Sequence, residues 1–343
     1  MSAVNSPSDA PRLPDSRFPR PAPGGRGVTV CRPSTAAKLS SSGRGRGAPI
    51  HHRETVLNGQ RLPYLEAGSP HAAHEVVLIH GLASDRHSWS EILPILGRDT
   101  HVIAPDLLGF GESSKPRSGD YSILAHSARI RDLTEALGLR QVAVIGHSLG
   151  GGVAMSFAYQ FPERTEKLGL ICSGGLGPEL APAIRLATIP TATALLAHTS
   201  HSPVPRWLKQ LGRYAITQTG LASRAEVDAV LRALDSLRDP EARQAYLRTL
   251  RDAVHWSGQR LTATDRLHLL TTLPILLIAG RRDRCIPYEH TIQAHRNLPG
   301  SKLAVLDTGH FPHHESPADV AQLIADFLAT GENRTQALSK LAL

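Results

Sequence analysis

The chain has 343 residues and a formal charge of +8, with 41% hydrophobic residues and three cysteines. This length allows a large buried core, and so few cysteines exclude a small domain held together by disulfides. The best apolar runs, VVLI at 76–79 and PILLIAG at 274–280, fall short of the roughly 18 residues that a membrane-spanning helix needs. We therefore expect no transmembrane segment, and the widely spaced thiols favour a reducing, cytoplasmic compartment.

The positive charge is concentrated at the amino end of the chain. Residues 1–53 carry nine basic and two acidic side chains, or +7, whereas the remaining 290 residues carry only +1. Eight of the 25 prolines also lie in residues 1–50, and such a polar, Pro-rich segment buries too little surface to offset its ordering entropy. We predict a disordered leader over 1–50, either inert or a functional tail. A nucleic-acid partner would depend on this leader alone and is not expected.

From Thr55 onwards, strand-like segments alternate with helical ones. The inner strands are continuous apolar runs, which is typical of a parallel sheet covered on both faces. The pattern predicts an α/β domain with a mostly parallel, eight-stranded sheet and helices on both faces. Its strands are predicted at 54–57, 62–66, 76–80, 101–105, 141–145, 167–172, 273–279 and 302–306, and its helices at 87–97, 122–137, 149–161, 289–298 and 317–329.

One stretch interrupts the alternation. Residues 177–270 show helical patterns only, for example a Ser223–Glu226 capping box followed by an apolar face. We predict a helical cap inserted between the sixth and seventh strands of the sheet. The core then comprises residues 53–176 and 271–330, and residues 331–343 form a C-terminal tail.

The sequence GHSLGGG at 146–152 follows an apolar strand and precedes a helix. A serine on a sharp strand-to-helix turn needs small residues two positions away on each side, and Gly146 and Gly150 supply them. This context predicts that Ser148 is a nucleophile with an exposed hydroxyl. The alternative is a serine that only caps the helix.

A nucleophilic serine needs a base that is itself oriented by a third group. Asp283 and His310 each follow a predicted strand, at the edge where open α/β sheets place their sites. The chain order Ser148, Asp283, His310 therefore favours a Ser–His–Asp triad. Asp106 and Asp307 remain alternative acids, because each also ends a strand.

The run HFPHHE places His313 and His314 close behind His310. It lacks the H-E-x-x-H spacing of a zinc-binding helix, so we expect neither a metal nor a cofactor. An acyl-transfer site also needs donors for an oxyanion. The N–H of Leu149 begins a helix, and Gly81 allows a turn that directs the N–H of Leu82 into the site, with His80 ordering that loop.

Five segments carry a family resemblance: LIHGLASDRHSW, APDLLGFGESSKP, VIGHSLGGGVA, IAGRRDRCIP and DTGHFPHHESP. In order and spacing they resemble the α/β-hydrolase fold superfamily over residues 53–330, especially bacterial esterase or lipase-like serine hydrolases with a helical cap. The resemblance implies that Ser148 is the nucleophile, Asp283 the acid and His310 the base, with the amides of Leu82 and Leu149 as the oxyanion hole. Haloalkane dehalogenases and epoxide hydrolases of this fold use an Asp nucleophile, so Ser148 disfavours both activities.

We expect hydrolysis of carboxylic esters of apolar acyl groups, a small-molecule substrate. Carbon–carbon bond hydrolases of ring-cleavage products and related acyl-transfer enzymes share the serine triad and stay open as alternatives. A catalytically silent, hydrolase-like binding protein is a distant one, because such proteins usually lack a triad member. The aromatic candidates for the substrate pocket are Trp89, Trp207, Tyr214, Tyr246 and Trp256.

Overall fold

A computed structural model describes residues 28–30, 47–189, 223–236, 238–260, 263 and 266–330. The described strands are β1 (Val28–Val30), β2 (Ile50–Leu57), β3 (Gln60–Ala67), β4 (Glu75–Ile79), β5 (His101–Pro105), β6 (Val142–His147), β7 (Thr165–Ile171), β8 (Val254–His255), β9 (Gly258–Gln259), β10 (Ile275–Gly280) and β11 (Lys302–Leu306). Nine of them form one sheet in the order β1-β11-β10-β7-β6-β4-β5-β3-β2, and β8 pairs with β9 in a small ribbon.

The sheet is parallel except at one edge. There, β2 pairs antiparallel with β3, and β3 pairs antiparallel with β5. The turn between β2 and β3 is Asn58-Gly59, and both residues have positive φ angles of 51° and 74°. Asn-Gly is the preferred sequence for such a two-residue hairpin, because its backbone twist matches the twist of the strands.

Helices cover both faces of this sheet. The described α-helices are α1 (Leu93–Leu96), α2 (Ile123–Ala136), α3 (Leu149–Gln160), α4 (Pro182–Leu186), α5 (Arg224–Ser236), α6 (Pro240–Ala253), α7 (Tyr288–Asn297), α8 (Pro312–Glu315) and α9 (Pro317–Ala329), with 3₁₀ turns at Arg86–Trp89, Pro162–Arg164 and Leu267–Leu270. No helix within these described ranges is long and apolar enough to cross a bilayer.

Alternate residues of the inner strands enter two separate hydrophobic clusters. In β4, Val77 and Ile79 join the cluster packed by α2 and α3, whereas Val76 and Leu78 join the cluster packed by α1 and α9. A strand buried on both faces must be apolar at every position, which explains the continuous apolar runs of the sequence. The predicted α/β class with a mostly parallel sheet is confirmed.

The structure differs from the prediction at three places. A ninth strand, β1, lies within the leader and pairs with β11 at the sheet edge. The predicted helix 87–97 is a 3₁₀ turn followed by the short helix α1, because Pro94 has no N–H for a continuous helix. The segment 177–270, predicted to be helical throughout, also contains the ribbon β8–β9.

That ribbon depends on a glycine. The φ angle of Gly258 is 146°, and a side chain at this position would collide with the carbonyl of Pro178. The helices α4, α5 and α6 lie between β7 and β10 in the chain, where the sequence predicts the cap. The Ser223–Glu226 capping box is confirmed, since Ser223 N donates to Glu226 Oε2 at 2.7 Å and Glu226 N donates to Ser223 Oγ at 3.2 Å.

The buried side chain of His126 connects α2 to α6 of the insertion. Its Nε2 lies 3.2 Å from Thr249 Oγ1, and burial lowers its pKa from 6.5 to about 3. Below pH 6.5 the unfolded chain takes up a proton that the folded protein excludes, so this contribution to stability is lost as the pH falls. Between pH 6 and 4, we expect the free energy of unfolding of wild type to fall by about 1.4 kcal/mol per pH unit more than that of the His126→Gln variant. Urea unfolding at several pH values measures it, with the exposed His51→Gln as control; equal slopes in His126→Gln and wild type would contradict the assignment.

Candidate active site

Ser148 occupies a strained turn between β6 and α3. Its backbone has φ 55° and ψ −118°, a conformation that residues with side chains rarely adopt. A side chain at Gly146 would collide with the carbonyl of Gly150, and one at Gly150 would collide with the carbonyl of Ile79. The two glycines therefore let the strand and the helix approach closely, as the sequence predicts.

A continuous hydrogen-bond chain joins the three predicted triad residues. His310 Nε2 lies 3.0 Å from Ser148 Oγ, and His310 Nδ1 lies 2.8 Å from Asp283 Oδ2. The other carboxylate oxygen, Asp283 Oδ1, accepts from the backbone N–H groups of Cys285 at 2.7 Å and Ile286 at 2.9 Å. The carboxylate is thus held in one orientation, with Oδ2 directed at the imidazole.

Two further side chains hold the loop that carries His310. His147 Nε2 donates to the backbone carbonyl of His310 at 2.7 Å, and Glu315 Oε2 accepts from Gly309 N at 3.0 Å. Burial, and then the neighbouring His310, lower the pKa of His147 well below its usual range, so its ring stays neutral with the proton on Nε2. Neither residue was predicted from the sequence, where the signal was the position of His147 directly before Ser148.

The predicted oxyanion loop lies directly against the serine. A Cβ at Gly81 would lie 3.3 Å from Ser148 Cβ and 3.0 Å from His147 Nδ1, so any larger residue would require these neighbours to shift. His80 Nε2 accepts from Leu107 N at 3.0 Å, and its Nδ1 donates to the carbonyl of Gly81 at 2.8 Å. The predicted ordering role of His80 is confirmed by these two bonds. Leu149 is the first residue of α3, so its N–H has no partner within the helix.

The two alternative acids lie elsewhere. Asp106 is fully buried and forms an ion pair with Arg86, while accepting from Arg86 N at 2.7 Å and Glu112 N at 2.8 Å. Asp307 Oδ1 lies 3.2 Å from Arg282 Nε at the surface. The structure therefore places Asp283, and neither alternative, beside His310.

Removing the buried carboxylate at position 106 should destabilise the fold. We expect Asp106→Ala to lower the free energy of unfolding by about 3–5 kcal/mol, because the buried Arg86 guanidinium would lose its buried partner and keep only the exposed Glu112. The control is Glu112→Ala, which removes the exposed partner of the same guanidinium and should change stability by less than about 1 kcal/mol. Denaturant unfolding measures the free energy of unfolding of both variants. Equal losses in Asp106→Ala and Glu112→Ala would contradict a larger contribution from the buried carboxylate.

The five aromatic pocket candidates have different locations. Tyr246 lines a cavity of about 320 Å³ between the loop after β4, the loop after β5 and the insertion helices. Trp89 is fully buried in the core, with its ring centroid 4.7 Å from that of His313, so it packs the fold and is wrong as a pocket residue. Trp256 is 67% exposed. Trp207 and Tyr214 lie outside the described residues.

The second and third histidines of HFPHHE lie behind the loop, in the first turn of α8. His313 is buried, its ring centroid is 4.4 Å from that of His314, and it also packs against His147. Burial lowers the pKa of His313 well below its usual range and that of His314 to about 4. Both rings are therefore neutral at pH 7, and His313 packs against His147, which holds the carbonyl of His310.

Comparison with known proteins adds a family to this geometry. The family model described as alpha/beta hydrolase fold matches residues 75–317, more than half of the chain. An uncharacterized protein of Mycobacterium tuberculosis is 39% identical over 289 residues, which is 83% of each chain. A soluble epoxide hydrolase of Corynebacterium is 29% identical, over 82% of this chain and 98% of the relative. The 2-hydroxy-6-oxo-2,4-heptadienoate hydrolase of Pseudomonas putida is 29% identical, over 75% of this chain and 90% of the relative.

Solved structures agree with this at the level of the fold. A thermophilic esterase from Thermogutta terrifontis superposes with a TM-score of 0.61 at 24% identity, over 83% of this chain and 98% of that chain. At such an identity the similarity shows a common architecture. Together with the family model, it establishes that the chain belongs to the alpha/beta hydrolase fold family.

Proposed function

We propose that this protein is a serine hydrolase that cleaves carboxylic esters of apolar acyl groups through an acyl-enzyme. The observation that supports the proposal most strongly is the hydrogen-bond chain Asp283–His310–Ser148, with its 2.8 Å and 3.0 Å contacts. It begins at a serine on a strained turn and ends at a buried carboxylate. This is the arrangement that nucleophilic catalysis by serine requires.

In the first step, Ser148 Oγ attacks the ester carbonyl while His310 Nε2 accepts its proton. The lone pair is available on Nε2 because Asp283 holds the proton on Nδ1. Negative charge then develops on the carbonyl oxygen, and the amides of Leu82 and Leu149 stabilise it. His310 next donates the proton to the leaving alcohol, which leaves the acyl group on Ser148.

In the second step, a water molecule replaces the alcohol. His310 Nε2 accepts a proton from this water, which attacks the acyl carbonyl, and the same two amides stabilise the second oxyanion. Collapse of this intermediate returns the proton to Ser148 Oγ and releases the carboxylic acid. No cofactor takes part in these steps.

The cavity beside the oxyanion loop supports an apolar substrate. Ala83, Phe110, Ala242 and Tyr246 form its apolar wall, and its volume of about 320 Å³ suits a small acyl or alcohol group. Ala83 lies two residues beyond Gly81, where an added Cβ would lie 3.3 Å from Ser148 Cβ. We propose that this cavity receives one arm of the ester.

Carbon–carbon bond hydrolysis is the second candidate, and a specific observation favours it. The charged residues Lys115 and Arg232 line the same cavity as Phe110 and Tyr246. They could pair with the carboxylate of a ring-cleavage dienoate, and several relatives are named as dienoate hydrolases. Asp85 and Asp239 on the same wall oppose an anionic ligand, so we place the ester first.

Epoxide hydrolysis is not proposed, despite the relative with that name. Epoxide hydrolases of this fold use an aspartate nucleophile, and the corresponding residue here is Ser148. The hydroxyl of Ser148 therefore favours an acyl-enzyme intermediate. We also propose a reducing, cytoplasmic compartment, which the free thiols of Cys172 and Cys285 support.

A fluorophosphonate probe and paired substrates test the proposal. We expect the probe to label wild type and the exposed control Ser69→Ala, but not Ser148→Ala. Hydrolysis of a series of nitrophenyl esters of increasing acyl length should then exceed hydrolysis of a ring-cleavage dienoate in kcat/KM. Labelling that persists in Ser148→Ala would reject the nucleophile, and a higher kcat/KM for the dienoate would favour the second candidate.

A further inference from the structure

The thiol of Cys172 lies beside the triad, and the proposed reaction does not use it. Cys172 directly follows β7, where its N–H donates to the carbonyl of Ile278 in β10 at 2.8 Å. Its φ angle of 43° is unusual for a residue with a side chain. This conformation turns the buried side chain towards the carboxyl end of β10, where Asp283 follows.

Three different metal-binding groups meet at this point. The Sγ of Cys172, a carboxylate oxygen of Asp283 and a ring nitrogen of His310 all lie within 4.8 Å of one another. All three residues are largely shielded from solvent, and the Asp283 carboxylate is already oriented by two backbone amides. A thiolate, an imidazole and a carboxylate together form a donor set that suits Zn²⁺, Co²⁺ or Cd²⁺ and disfavours Mg²⁺ and Ca²⁺.

We propose that Cys172, Asp283 and His310 form a binding site for a thiophilic divalent cation, and that occupation of this site inhibits the enzyme. The site itself follows from the geometry; only the inhibition depends on the proposed function. Between the carboxylate and the imidazole the spacing requires little movement. Zinc bonds of about 2.0–2.2 Å to oxygen and nitrogen at a tetrahedral angle separate the two donors by roughly 3.3–3.5 Å, and Asp283 Oδ2 now lies 2.8 Å from His310 Nδ1.

The proton balance explains the inhibition. A divalent cation binds the thiolate form of cysteine, so the Sγ proton of Cys172 has to leave. Metal binding releases this proton to solvent, and the Nδ1 proton of His310 moves to Nε2 as the metal binds Nδ1. Two anionic ligands then neutralise the divalent cation. His310 Nε2 no longer has a lone pair for the Ser148 proton, so the nucleophile cannot be activated.

Cobalt spectroscopy of the full chain tests the site without measuring turnover. Titration of wild type with Co²⁺ should produce a thiolate-to-metal charge-transfer band in the near ultraviolet and visible bands of a tetrahedral centre. We expect these bands to persist in Ser148→Ala and in the matched thiol control Cys285→Ser, and to be lost in Cys172→Ala and Cys172→Ser. A wild type without the charge-transfer band, or a band that remains in folded Cys172→Ala, would overturn the site.

Zinc inhibition of nitrophenyl ester hydrolysis tests the consequence. Each variant is compared with its own rate in chelator, and we expect Cys172→Ala to need at least about 10-fold more Zn²⁺ for half inhibition than wild type or Cys285→Ser. Equal sensitivity of Cys172→Ala and wild type would show that zinc acts elsewhere and would overturn the inhibition. If wild type hydrolyses no ester yet shows the Cys172-dependent cobalt band, the proposed function fails and the metal site stands.

Discussion

Replacing Ser148 by alanine is expected to lower kcat for a nitrophenyl ester by about 10⁶-fold, which leaves only the acceleration of roughly 10³–10⁴-fold over the uncatalysed reaction that the oxyanion donors and substrate binding support. The physical reason is that in the proposed reaction every covalent step passes through Ser148 Oγ, whose hydroxyl donates a hydrogen bond to His310 Nε2. Without the hydroxyl, His310 and Asp283 have no nucleophile to activate. Burst-phase and steady-state kinetics with purified Ser148→Ala measure the loss.

The control for this prediction is stability. Alanine at position 148 experiences the same backbone strain as serine, so the free energy of unfolding should change by less than about 1 kcal/mol. A variant that unfolds normally but is inactive would assign the loss to chemistry. Residual turnover within about 100-fold of wild type would reject Ser148 as the nucleophile.

Asp283→Asn is expected to lower kcat by about 10⁴-fold while the side chain keeps its position. The backbone amides of Cys285 and Ile286 both donate to Oδ1, so the asparagine must place its carbonyl oxygen there and its NH₂ group towards His310. Nδ1 of His310 must then accept a hydrogen bond, and the ring proton moves to Nε2. In that tautomer Nε2 cannot accept the proton of Ser148.

The matched control is Asp307→Asn, one strand along the same sheet edge. Asp307 has a side chain that is 47% exposed and contacts Arg282, so its variant should hydrolyse esters at the wild-type rate. The kcat of both variants is compared across a pH series, because the tautomer explanation requires the deficit of Asp283→Asn to persist at every pH. Recovery of Asp283→Asn at high pH, or an equal deficit in Asp307→Asn, would contradict the assigned role.

The regular part of the fold was predictable because burial determines it. Each of the eight predicted strands overlaps an observed strand, and Lys302–Leu306 and Pro317–Ala329 have the predicted bounds. Strands covered on both faces must be apolar throughout, and this leaves a clear signal. The strand β1 and the ribbon β8–β9 leave none, since three and two residues are too few to show a period and their pairing depends on tertiary contacts.

The site was predictable to the extent that chain order determines it. The order Ser148, Asp283, His310, with each residue after a strand, indicated which groups meet at one sheet edge. The supporting contact of His147 and the position of Cys172 beside Asp283 and His310 were not predictable, because both depend on side-chain direction after a turn. Trp89 shows the same limit: it was a pocket candidate as one of the aromatic residues, whereas three-dimensional packing buries it against His313.

The strained backbone of Ser148 has an evolutionary consequence. Holding a residue with a side chain at φ 55° and ψ −118° costs of the order of 1–3 kcal/mol, which glycine would largely avoid. A directed-evolution experiment that selects for thermal stability alone is therefore expected to enrich glycine at position 148, and such a variant would be inactive. Stability and activity thus favour different residues at position 148, so directed evolution of this protein has to select for both properties at once.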